Sequence, residues 1–420
     1  MNYYYFIFCL LFAVWYGLYY AIRRKLGFWF EQPVYHVYQL HYLFYRPRII
    51  EPDITKSPTQ YIDHSTIQTC PFSDYNIDDI LTFITPHYLN QSDNKYLPKS
   101  EHIVPYFSNH SSPSFVSVCN RKKNTNTTTK DGDYSRFAHH RFHHSTPCGA
   151  RPPCNIVGII TSRPLSVYIY GVDSQTLYAN YIDYLCVQTS LRKTGIAARL
   201  IQTHEHNQRT LHPAINVSVF KREEELTPIV PICAYNTYGF MIQSFITHDC
   251  PTPSKIIKQI TTDHAHDAIQ FIIREEPRHF TVTLRSSIEN LVHLIDTKNI
   301  ILYAIYDNDA AIVGVYVFRH TCVEIVDAIS GISGKTVSCI GSICTSQLSP
   351  HLFIESFYHC IQQLSSDYVY LAIEQISHNH HIIDDLLKNN KTPFVTSPTA
   401  YYFYNFLFHT VSSSRVFSVL

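Results

Sequence analysis

The segment DYLCVQTSLRKTGIAARLIQ, residues 183–202, combines three kinds of sequence in succession. It starts with the apolar run Tyr184–Val187, which predicts a short buried strand. After a polar stretch, apolar residues recur at Ile196, Leu200 and Ile201, close to the spacing of a helix. The segment therefore predicts a strand, a turn and a helix in succession.

The turn of this unit carries positive charge at Arg192 and Lys193 and has a glycine at position 195. The first N–H groups of a helix have no intrahelical partner and lie at the positive end of the helix dipole. A basic turn with a glycine at this place suits phosphate groups, because the backbone can approach them closely. A basic N-cap in a solvated loop explains the same residues, so the segment alone leaves both interpretations open.

The composition limits the classes of function. A chain of 420 residues is longer than one ordinary core requires, which predicts two domains of average size or one fused pair. Lys and Arg together number 33, as do Asp and Glu, so no overall field attracts the protein to nucleic acid, and we expect no nucleic-acid partner. The 12 cysteines show no paired CxxC spacing, so we expect reduced thiols and no structural zinc.

The N-terminal segment has the character of a membrane anchor. Residues 3–22, YYYFIFCLLFAVWYGLYYAI, are uncharged and long enough as a helix to cross about 30 Å of hydrocarbon. Arg23, Arg24 and Lys25 follow, and no small-residue cleavage site intervenes, which predicts an uncleaved single-pass anchor with the rest of the chain facing the cytoplasm. The alternative is a secretory signal before a glycosylated domain, which the sequons at Asn109 and Asn216 would support.

Residues 121–153 differ from the sequence on either side. This stretch is polar, lacks a sustained apolar period and carries prolines near its end, which predicts a flexible insertion loop. Several of its side chains, and one just after it, are possible metal ligands: His139, His140, His143, His144, Cys148 and Cys154. Their irregular spacing favours a tolerated surface loop over a metal site. We therefore expect no metal.

An internal echo follows the insertion. The residues IVGIITSR at 156–163 are matched by IVGVYVFR at 312–319, each after a short polar turn. Both predict the second strand of a hairpin, with a glycine where a side chain would obstruct a close approach. The match is either a coincidence between two β-rich segments or a sign of two related halves.

The opening segment resembles the signature of the protein N-myristoyltransferases. That family has a strand reading Phe-Leu-Cys-Val, a short basic linker, Leu-Arg and then a helix. Tyr184–Val187, Leu191-Arg192 and Ala197–Ile201 stand in the corresponding places. The run Arg192–Ala197 also resembles the pyrophosphate loop of the wider acetyltransferase superfamily, to which the myristoyltransferases belong.

Other segments agree with this family in order. Phe28–Val34 is similar to its Phe-Trp-x-x-Gln-Pro-Val segment, and residues 156–170 follow its pattern upstream of the signature strand. Tyr401–Asn405 is similar to its late Tyr-Tyr-x-Tyr-Asn strand, and Val416–Leu420 to its apolar ending. The resemblance covers nearly everything from residue 27 onward except the insertion.

The resemblance implies an α+β fold of two fused acetyltransferase-like halves with pseudo-twofold symmetry, preceded by the transmembrane helix. Residues 1–26 are then the anchor and its basic flank. Residues 27–240 form an acyl-CoA-binding half that contains the insertion, and residues 241–420 form a peptide-binding half.

The activity implied is transfer of a myristoyl group from acyl-CoA to the N-terminal glycine of a protein or peptide. Acyl-CoA is then a co-substrate, with no tightly bound cofactor, and the partners are an acceptor N-terminus and the membrane, with a monomeric enzyme. By resemblance the acyl-CoA contacts are Phe28, Trp29, Tyr184, Leu185, Cys186, Val187, Arg192, Lys193, Gly195, Ile196 and Ala197.

The chemistry of acyl transfer assigns roles to three of the matched residues. Attack on a thioester forms a tetrahedral oxyanion, which two fixed N–H donors stabilise by a few kcal/mol. By resemblance these donors are the backbone N–H groups of Tyr184 and Leu185. The acceptor α-amine has a pKa near 8 and needs a base at neutral pH. The resemblance implies that this base is the main-chain carboxylate of Leu420.

The acceptor side departs from the family pattern. By resemblance Tyr88, Leu89 and Tyr235 contact the acceptor, but the family's acidic loop is replaced by residues 90–93, NQSD. Other family segments are replaced at residues 220–223 and 235–238. These changes leave two alternatives open, an acyl- or acetyltransferase with another acceptor amine and a catalytically silent membrane scaffold that retains the fold.

Overall fold

The structure, a computed structural model, describes residues 2–56, 59–89, 94–121, 156–171, 174–246, 255–326, 331 and 333–420. The helices longer than one turn are α1 (Asn2–Leu26), α2 (Ile77–His87), α3 (Ser100–Phe107), α4 (Ile196–Leu211), α5 (Thr262–His279), α6 (Ile288–Asp296), α7 (Pro350–Leu364) and α8 (Asn379–Lys388). The strands of the first half of the chain are β1 (Arg48–Ile49), β2 (Ile67–Pro71), β3 (Asn94–Tyr96), β4 (Phe115–Asn120), β5 (Ile156–Ile169), β6 (Gln175–Val187), β7 (Ser218–Glu223) and β8 (Pro231–Met241). Those of the second half are β9 (Ile256–Gln259), β10 (Val282–Arg285), β11 (Ile300–Tyr306), β12 (Ile312–Val326), β13 (Ser333–Cys344), β14 (Tyr370–Glu374), β15 (Val395–Tyr404), β16 (Phe406–Leu407) and β17 (Val416–Val419).

One mixed sheet of 15 strands joins nearly all of these strands. Its main path runs β17-β10-β5-β6-β7-β15-β8-β14-β13-β12-β11-β9, with β4 on β5, β2 on β4 and β3 on β12. Most neighbours are antiparallel, but β10–β17, β6–β7 and β13–β14 are parallel. Separate helices pack against the sheet, so the predicted α+β class is confirmed.

Strands from both ends of the chain are interleaved in this sheet. β15 lies between β7 and β8, and β10 and β17 continue the sheet from β5. The late strands therefore complete the early part of the sheet, and pairing is continuous across residue 240. The division into halves at that residue stays a prediction.

The two segments of the internal echo have the same setting. The first lies in β5, which pairs antiparallel with β4, and the second in β12, which pairs antiparallel with β11. A Cβ atom at Gly158 would lie 2.7 Å from Leu200 Cδ1, and one at Gly314 would lie 3.0 Å from Ile305 Cδ1. Both glycines therefore permit a close approach, as the sequence predicts.

Helix α1 is exposed over most of its length between Tyr4 and Lys25. Tyr4–Glu31 is long and apolar enough to cross a membrane, and none of its apolar window is buried within the described part of the chain. The predicted helix of membrane-spanning length is confirmed. A signal sequence at an N-terminus has the same length and composition, so these features leave its orientation open.

Candidate functional site

Strand β6 separates from its neighbour β7 within the predicted site. It pairs with β5 from Gln175 to Val187, but among the described residues it pairs with β7 only through Asn180–Ile182. The register with β5 shifts just beyond this point, so Asp183 and Tyr184 both face Thr161 in a β-bulge. The remainder of β6 therefore borders an opening in the sheet.

The hydrogen bonds of this segment show which edge of β6 each backbone N–H group faces. Gln188 N–H donates to the Val157 carbonyl oxygen at 2.9 Å. Successive N–H groups of a strand point to opposite edges, so Leu185 N–H faces the edge from which β7 has separated. Tyr184 N–H donates to Thr161 Oγ1 at 3.1 Å. One of the two predicted oxyanion donors thus lies at the opening, and the other has a hydroxyl partner.

The predicted turn between strand and helix has the backbone that a glycine allows. Gly195 is the N-cap of α4 with φ +84° and no side-chain capping bond, and Lys193 also has a positive φ of +65°. A Cβ at Gly195 would meet open space, so the glycine is required by its conformation. Ile196 and Leu200 are buried and fix the helix to the sheet. The strand, turn and helix predicted from residues 183–202 are confirmed.

Arg192 and Lys193 lie in different surroundings within this turn. Arg192 Nη2 donates to the carbonyl oxygen of His87 at 2.6 Å, which ties the turn to α2. Lys193 is exposed. Thr194 Oγ1 donates to the Leu191 carbonyl oxygen at 2.6 Å and tightens the turn. The exposed lysine is therefore the more available cation for an anion at the start of α4.

The segment with Phe28 and Trp29 packs beside the same helix. It forms a 3-10 turn, Gly27–Glu31, directly after α1. The Trp29 ring stacks on Phe220 with centroids 5.6 Å apart, and the Phe28 ring meets Tyr61 edge-on at 5.2 Å. Tyr61 N–H in turn donates to Gln202 Oε1 of α4 at 2.7 Å. The structure thus brings the two predicted acyl-CoA segments together through Tyr61.

Three tyrosines surround the splayed part of β6. The hydroxyls of Tyr96 and Tyr184 are hydrogen-bonded at 2.7 Å, and the Tyr88 ring lies 5.1 Å from Tyr96 and 5.2 Å from Tyr184. Burial, together with the negative charge of Glu223, raises the pKa of Tyr88, so its hydroxyl stays protonated. Of the two predicted acceptor contacts beside this strand, Tyr88 packs in the tyrosine group, whereas Leu89 is half exposed with φ +48°, and the role of both stays a prediction.

A buried arginine, Arg163, and a partly buried one, Arg319, occupy the matched ends of the internal echo. The guanidinium carbons of Arg163 and Arg319 lie 5.2 and 5.0 Å from the centre of the Tyr106 ring. Arg163 Nε contacts Asp183 Oδ2 at 2.5 Å, and Arg319 Nη1 donates to the main-chain oxygen of Leu420 at 3.3 Å. Burial opposes the charge of Arg319, but Tyr106 and Asp183 raise its pKa well above the ordinary value.

The sequence analysis assigns no function to this arginine pair. The signal that could have identified the arginine pair is a charged residue at the end of each matched apolar segment. A charge within an apolar strand needs a partner. Arg163 holds Asp183, the residue before Tyr184, and Arg319 contacts Leu420, so the two arginines lie beside the two ends of the predicted catalytic arrangement.

The C-terminal segment of the chain enters the core. β17 is buried and pairs in parallel with β10, and Leu420 itself is 3% exposed. Tyr401 hydroxyl is hydrogen-bonded to Ser418 Oγ at 3.2 Å. The main chain of Leu420 is thus fixed from two sides, through β17 and through Arg319.

A second charged cluster adjoins this strand on the predicted acceptor side. Lys221 Nζ contacts Glu223 Oε1 at 2.7 Å and Glu374 Oε1 at 2.9 Å, and Tyr235 hydroxyl donates to Glu374 Oε2 at 2.6 Å. Burial opposes the charge of Lys221, but the two glutamates raise its pKa well above the ordinary value. Tyr235, predicted to contact the acceptor, is therefore held by Glu374.

One group of possible metal ligands occurs within the described residues. His102, His320 and Cys322 each offer a ligand atom within 4.8 Å of the others. However, Lys99 N–H donates to His102 Nδ1 at 3.3 Å. Burial lowers the pKa of His320 to about 4, and the charges of Lys335 and Arg319 act in the same direction. These positive charges oppose a cation, and the expectation of no metal stays a prediction.

Some predicted features lie outside the described residues. These are residues 90–93, which replace the family's acidic loop, and residues 122–155, which hold nearly all of the insertion and all its possible metal ligands.

Comparison with protein-family models and with curated protein sequences gives no match. Solved structures of Saccharomyces cerevisiae N-myristoyltransferase do match. A crystal structure with bound myristoyl-CoA superposes with a TM-score of 0.68 and 13% identity over 94% of this chain and 98% of that chain. A second, also with myristoyl-CoA, gives a TM-score of 0.70 and 13% identity over 95% and 94%. A third, with myristoyl-CoA and inhibitors, gives 0.68 and 13% over 92% and 91%. The predicted N-myristoyltransferase fold is confirmed.

Proposed function

We propose that the protein transfers a long-chain acyl group, myristoyl in the first instance, from acyl-CoA to the N-terminal glycine amine of a protein or peptide. The observation that carries this proposal is the opening at Leu185 N–H beside a basic helix start. It occurs in a fold that, in the yeast enzyme, holds myristoyl-CoA. Lys193 and the first N–H groups of α4 would hold the pyrophosphate, and Phe28 and Trp29 would lie along the CoA.

The proposed reaction balances without a covalent enzyme intermediate. The acceptor nitrogen attacks the thioester carbon, the C–N bond forms, the C–S bond breaks, and CoA leaves as a thiolate that takes up a proton. Leu185 N–H would stabilise the oxyanion, and Tyr184 N–H would join it by sharing or giving up its bond to Thr161 Oγ1. Each donor of this kind contributes about 3–4 kcal/mol to the transition state.

The proposed base is the main-chain carboxylate of Leu420. It would remove the proton that an α-amine with a pKa near 8 carries at neutral pH. Its support is the burial of Leu420 and the bond from Arg319, which hold its oxygen in one place. Arg319 is here a positioning residue.

One observation favours a second candidate, transfer to another acceptor amine. Lys221 and Glu374 form a charged cluster around Tyr235, on the side where the acceptor is expected. An acceptor of different charge would be selected there. The acyl-CoA side and the base remain the same in both candidates.

We also propose that α1 anchors the protein in a membrane with the domain from Gly27 onward facing the cytoplasm. Its support is the exposed apolar span and the Arg23-Arg24-Lys25 flank that follows it. Acyl-CoA would then be supplied from the side on which the domain lies.

The test uses full-length protein in detergent with myristoyl-CoA and two peptides, one with a free N-terminal glycine and one with that glycine acetylated. Release of CoA thiol and the mass of the acylated peptide are measured. We expect acylation of the free peptide alone. Acylation of lysine in the blocked peptide would support the second candidate, and binding of acyl-CoA without any transfer would indicate a silent scaffold.

A further inference from the structure

A strip of exposed apolar side chains follows the anchor helix in the folded domain. We define it as the aromatic strip, residues 35–48. Phe44 is 88% exposed and Leu40 64% exposed, and Val37, Tyr38 and Leu43 are also exposed. Contiguous exposed apolar surface of this kind marks a contact with another molecule or with a membrane.

The strip is continuous with the end of α1. Ring contacts lead from Tyr19 of α1 to Phe30 at 5.5 Å, from Phe30 to His36 at 6.5 Å, and from His36 to Tyr38 at 5.3 Å. Arg23 Nη2 also contacts Glu31 Oε1 at 2.9 Å. The strip therefore begins beside the last turns of α1, where a membrane-spanning helix would leave the hydrocarbon.

The strip belongs to the folded domain. Val230 N–H donates to the Tyr35 carbonyl oxygen at 2.8 Å, and Arg48 pairs with Leu407 across β1 and β16. His409 Nε2 lies 3.2 Å from the Tyr42 carbonyl oxygen. The exposed side chains are thus presented from a fixed backbone, and their exposure is a property of the domain surface.

The charge of the strip matches a lipid surface. Residues 35–48 contain no Asp or Glu, whereas Arg46 is exposed and the Arg48 guanidinium lies 4.5 Å from the centre of the Tyr45 ring. Tyrosines and arginines with apolar stems are the residues that lie at the headgroup level of bilayers. Basic residues there gain about 1 kcal/mol each from anionic lipids.

We propose that the aromatic strip is a second membrane contact, which lies at the headgroup level of the bilayer that α1 enters and binds lipid through Phe44, Leu40 and the two arginines. This inference rests on the proposed membrane anchoring of α1. Two contacts fix the orientation of the domain, because one helix alone leaves it free to turn. Phe28 and Trp29 lie between the two contacts in the sequence, so the proposal holds the acyl-CoA segment near the membrane surface.

The test places a photo-crosslinking amino acid in the full-length protein, in nanodiscs of phosphatidylcholine with or without phosphatidylserine. The positions are Phe44 in the strip, Trp15 in α1 and Phe394 as the matched control. Phe394 is 50% exposed and packs beside Gly239, whereas the strip adjoins the Pro231 end of β8. The eight steps along the strand from Pro231 to Gly239 span about 26 Å.

We expect lipid adducts at Trp15 and Phe44 and at most a few per cent of their yield at Phe394. Phosphatidylserine should raise the yield at Phe44 at least twofold, and the double variant R46E/R48E should abolish that increase while leaving the yield at Trp15 unchanged. Lipid at Trp15 without lipid at Phe44 would overturn the strip proposal and leave the anchor intact. The absence of lipid at Trp15 would remove both. A cross-link from Phe44 to a second copy of the chain would show a protein interface instead.

Discussion

Arg319 donates a hydrogen bond from Nη1 to the main-chain oxygen of Leu420 over 3.3 Å, so strand β12 holds the last residue of the sequence. The bond fixes the oxygen that is proposed to accept the proton of the acceptor amine. A main-chain carboxylate cannot be replaced by a side-chain substitution. The proposed base is therefore tested by moving the carboxylate to another position.

The addition of one glycine after Leu420 tests this arrangement. The added residue keeps a terminal carboxylate but moves it by about 3.5 Å, farther than proton transfer tolerates. We expect acyl transfer to fall about a hundredfold or more, with acyl-CoA affinity unchanged in calorimetry. The same glycine added before Met1 serves as the control. Full transfer by the extended protein would assign the base to another residue.

Lys193 is expected to contribute to acyl-CoA binding through its charge. Lys193→Glu should weaken CoA binding about thirtyfold at low salt, because an exposed charge near a phosphate contributes about 1 kcal/mol and the reversal counts twice. The remaining affinity should depend less on salt. Lys298→Glu is the matched control, since Lys298 is also an exposed lysine with a positive φ, +57° against +65°. Equal affinity in the two variants would remove the phosphate interpretation of the turn.

The buried pair of Arg163 and Asp183 predicts a large effect on stability. Asp183→Ala leaves the Arg163 charge without its partner in the core, so we expect a loss of about 3–5 kcal/mol in urea unfolding. Glu225→Ala removes one partner of the exposed pair with Arg222 and should cost under about 1 kcal/mol. The apolar double variant Arg163→Met with Asp183→Leu should recover most of the loss. Its failure to do so would mean that the pair has a role beyond charge compensation.

His204 predicts a loss of stability in mild acid. Burial lowers the pKa of His204 to about 3 in the folded protein, against 6.5 when unfolded, so the unfolded chain binds the proton first as the pH falls. The contribution of the neutral His204 side chain to the free energy of unfolding is complete above pH 6.5 and declines as the pH falls below 6.5. His204→Gln should reduce the difference in unfolding free energy between pH 7 and pH 5 by about 2 kcal/mol. An unchanged difference would mean that the imidazole is protonated in the folded state.

The neighbouring Glu205 predicts the opposite trend. Burial raises the pKa of Glu205 to about 7, although Ser218 and Gln208 donate to it, so the folded protein binds the proton more tightly than the unfolded chain. Its contribution is present below pH 4.5 and is lost as the pH rises to 7. As the pH rises from 5 to 8, the natural protein loses this contribution and the Glu205→Gln variant does not. The unfolding free energy of the variant should therefore rise by about 2 kcal/mol relative to that of the natural protein over this range. A constant difference between the two proteins would contradict this.

The orientation of the anchor can be read at Asn109, an exposed residue of a sequon. If the domain faces the cytoplasm, this site carries no glycan in expressing cells. A sequon in a polar extension placed before Met1 should then be glycosylated, as shown by a gel shift that an endoglycosidase reverses. A glycan at Asn109 would show that the domain lies on the opposite side of the membrane from the one proposed.

Local signals in the sequence predict local structure well in this protein. The strand, turn and helix of residues 183–202 follow from periodicity and from Gly195, and the close approaches at Gly158 and Gly314 follow from the absence of a side chain. The proximity of Tyr88 to Tyr184 could be expected only from the family resemblance.

Long-range relationships could not be predicted in this way. Arg319 and Leu420 are 101 residues apart, and no local pattern shows that a charged side chain will be buried against a main-chain oxygen. The insertion of β15 between β7 and β8 likewise depends on pairings that only the complete sheet decides. The proposed function therefore rests on contacts that the sequence shows least.

The parallel pairing of β17 with β10, beside β5, also has a consequence for biosynthesis. β5 leaves the ribosome about 110 residues before β10 and about 250 before β17, so the edge that β10 will cover stays open during much of translation. Sheets completed by such distant segments fold slowly and expose aggregation-prone edges. If α1 anchors the chain as proposed, the nascent domain holds this open strand edge beside a membrane until β10 and β17 have been synthesised.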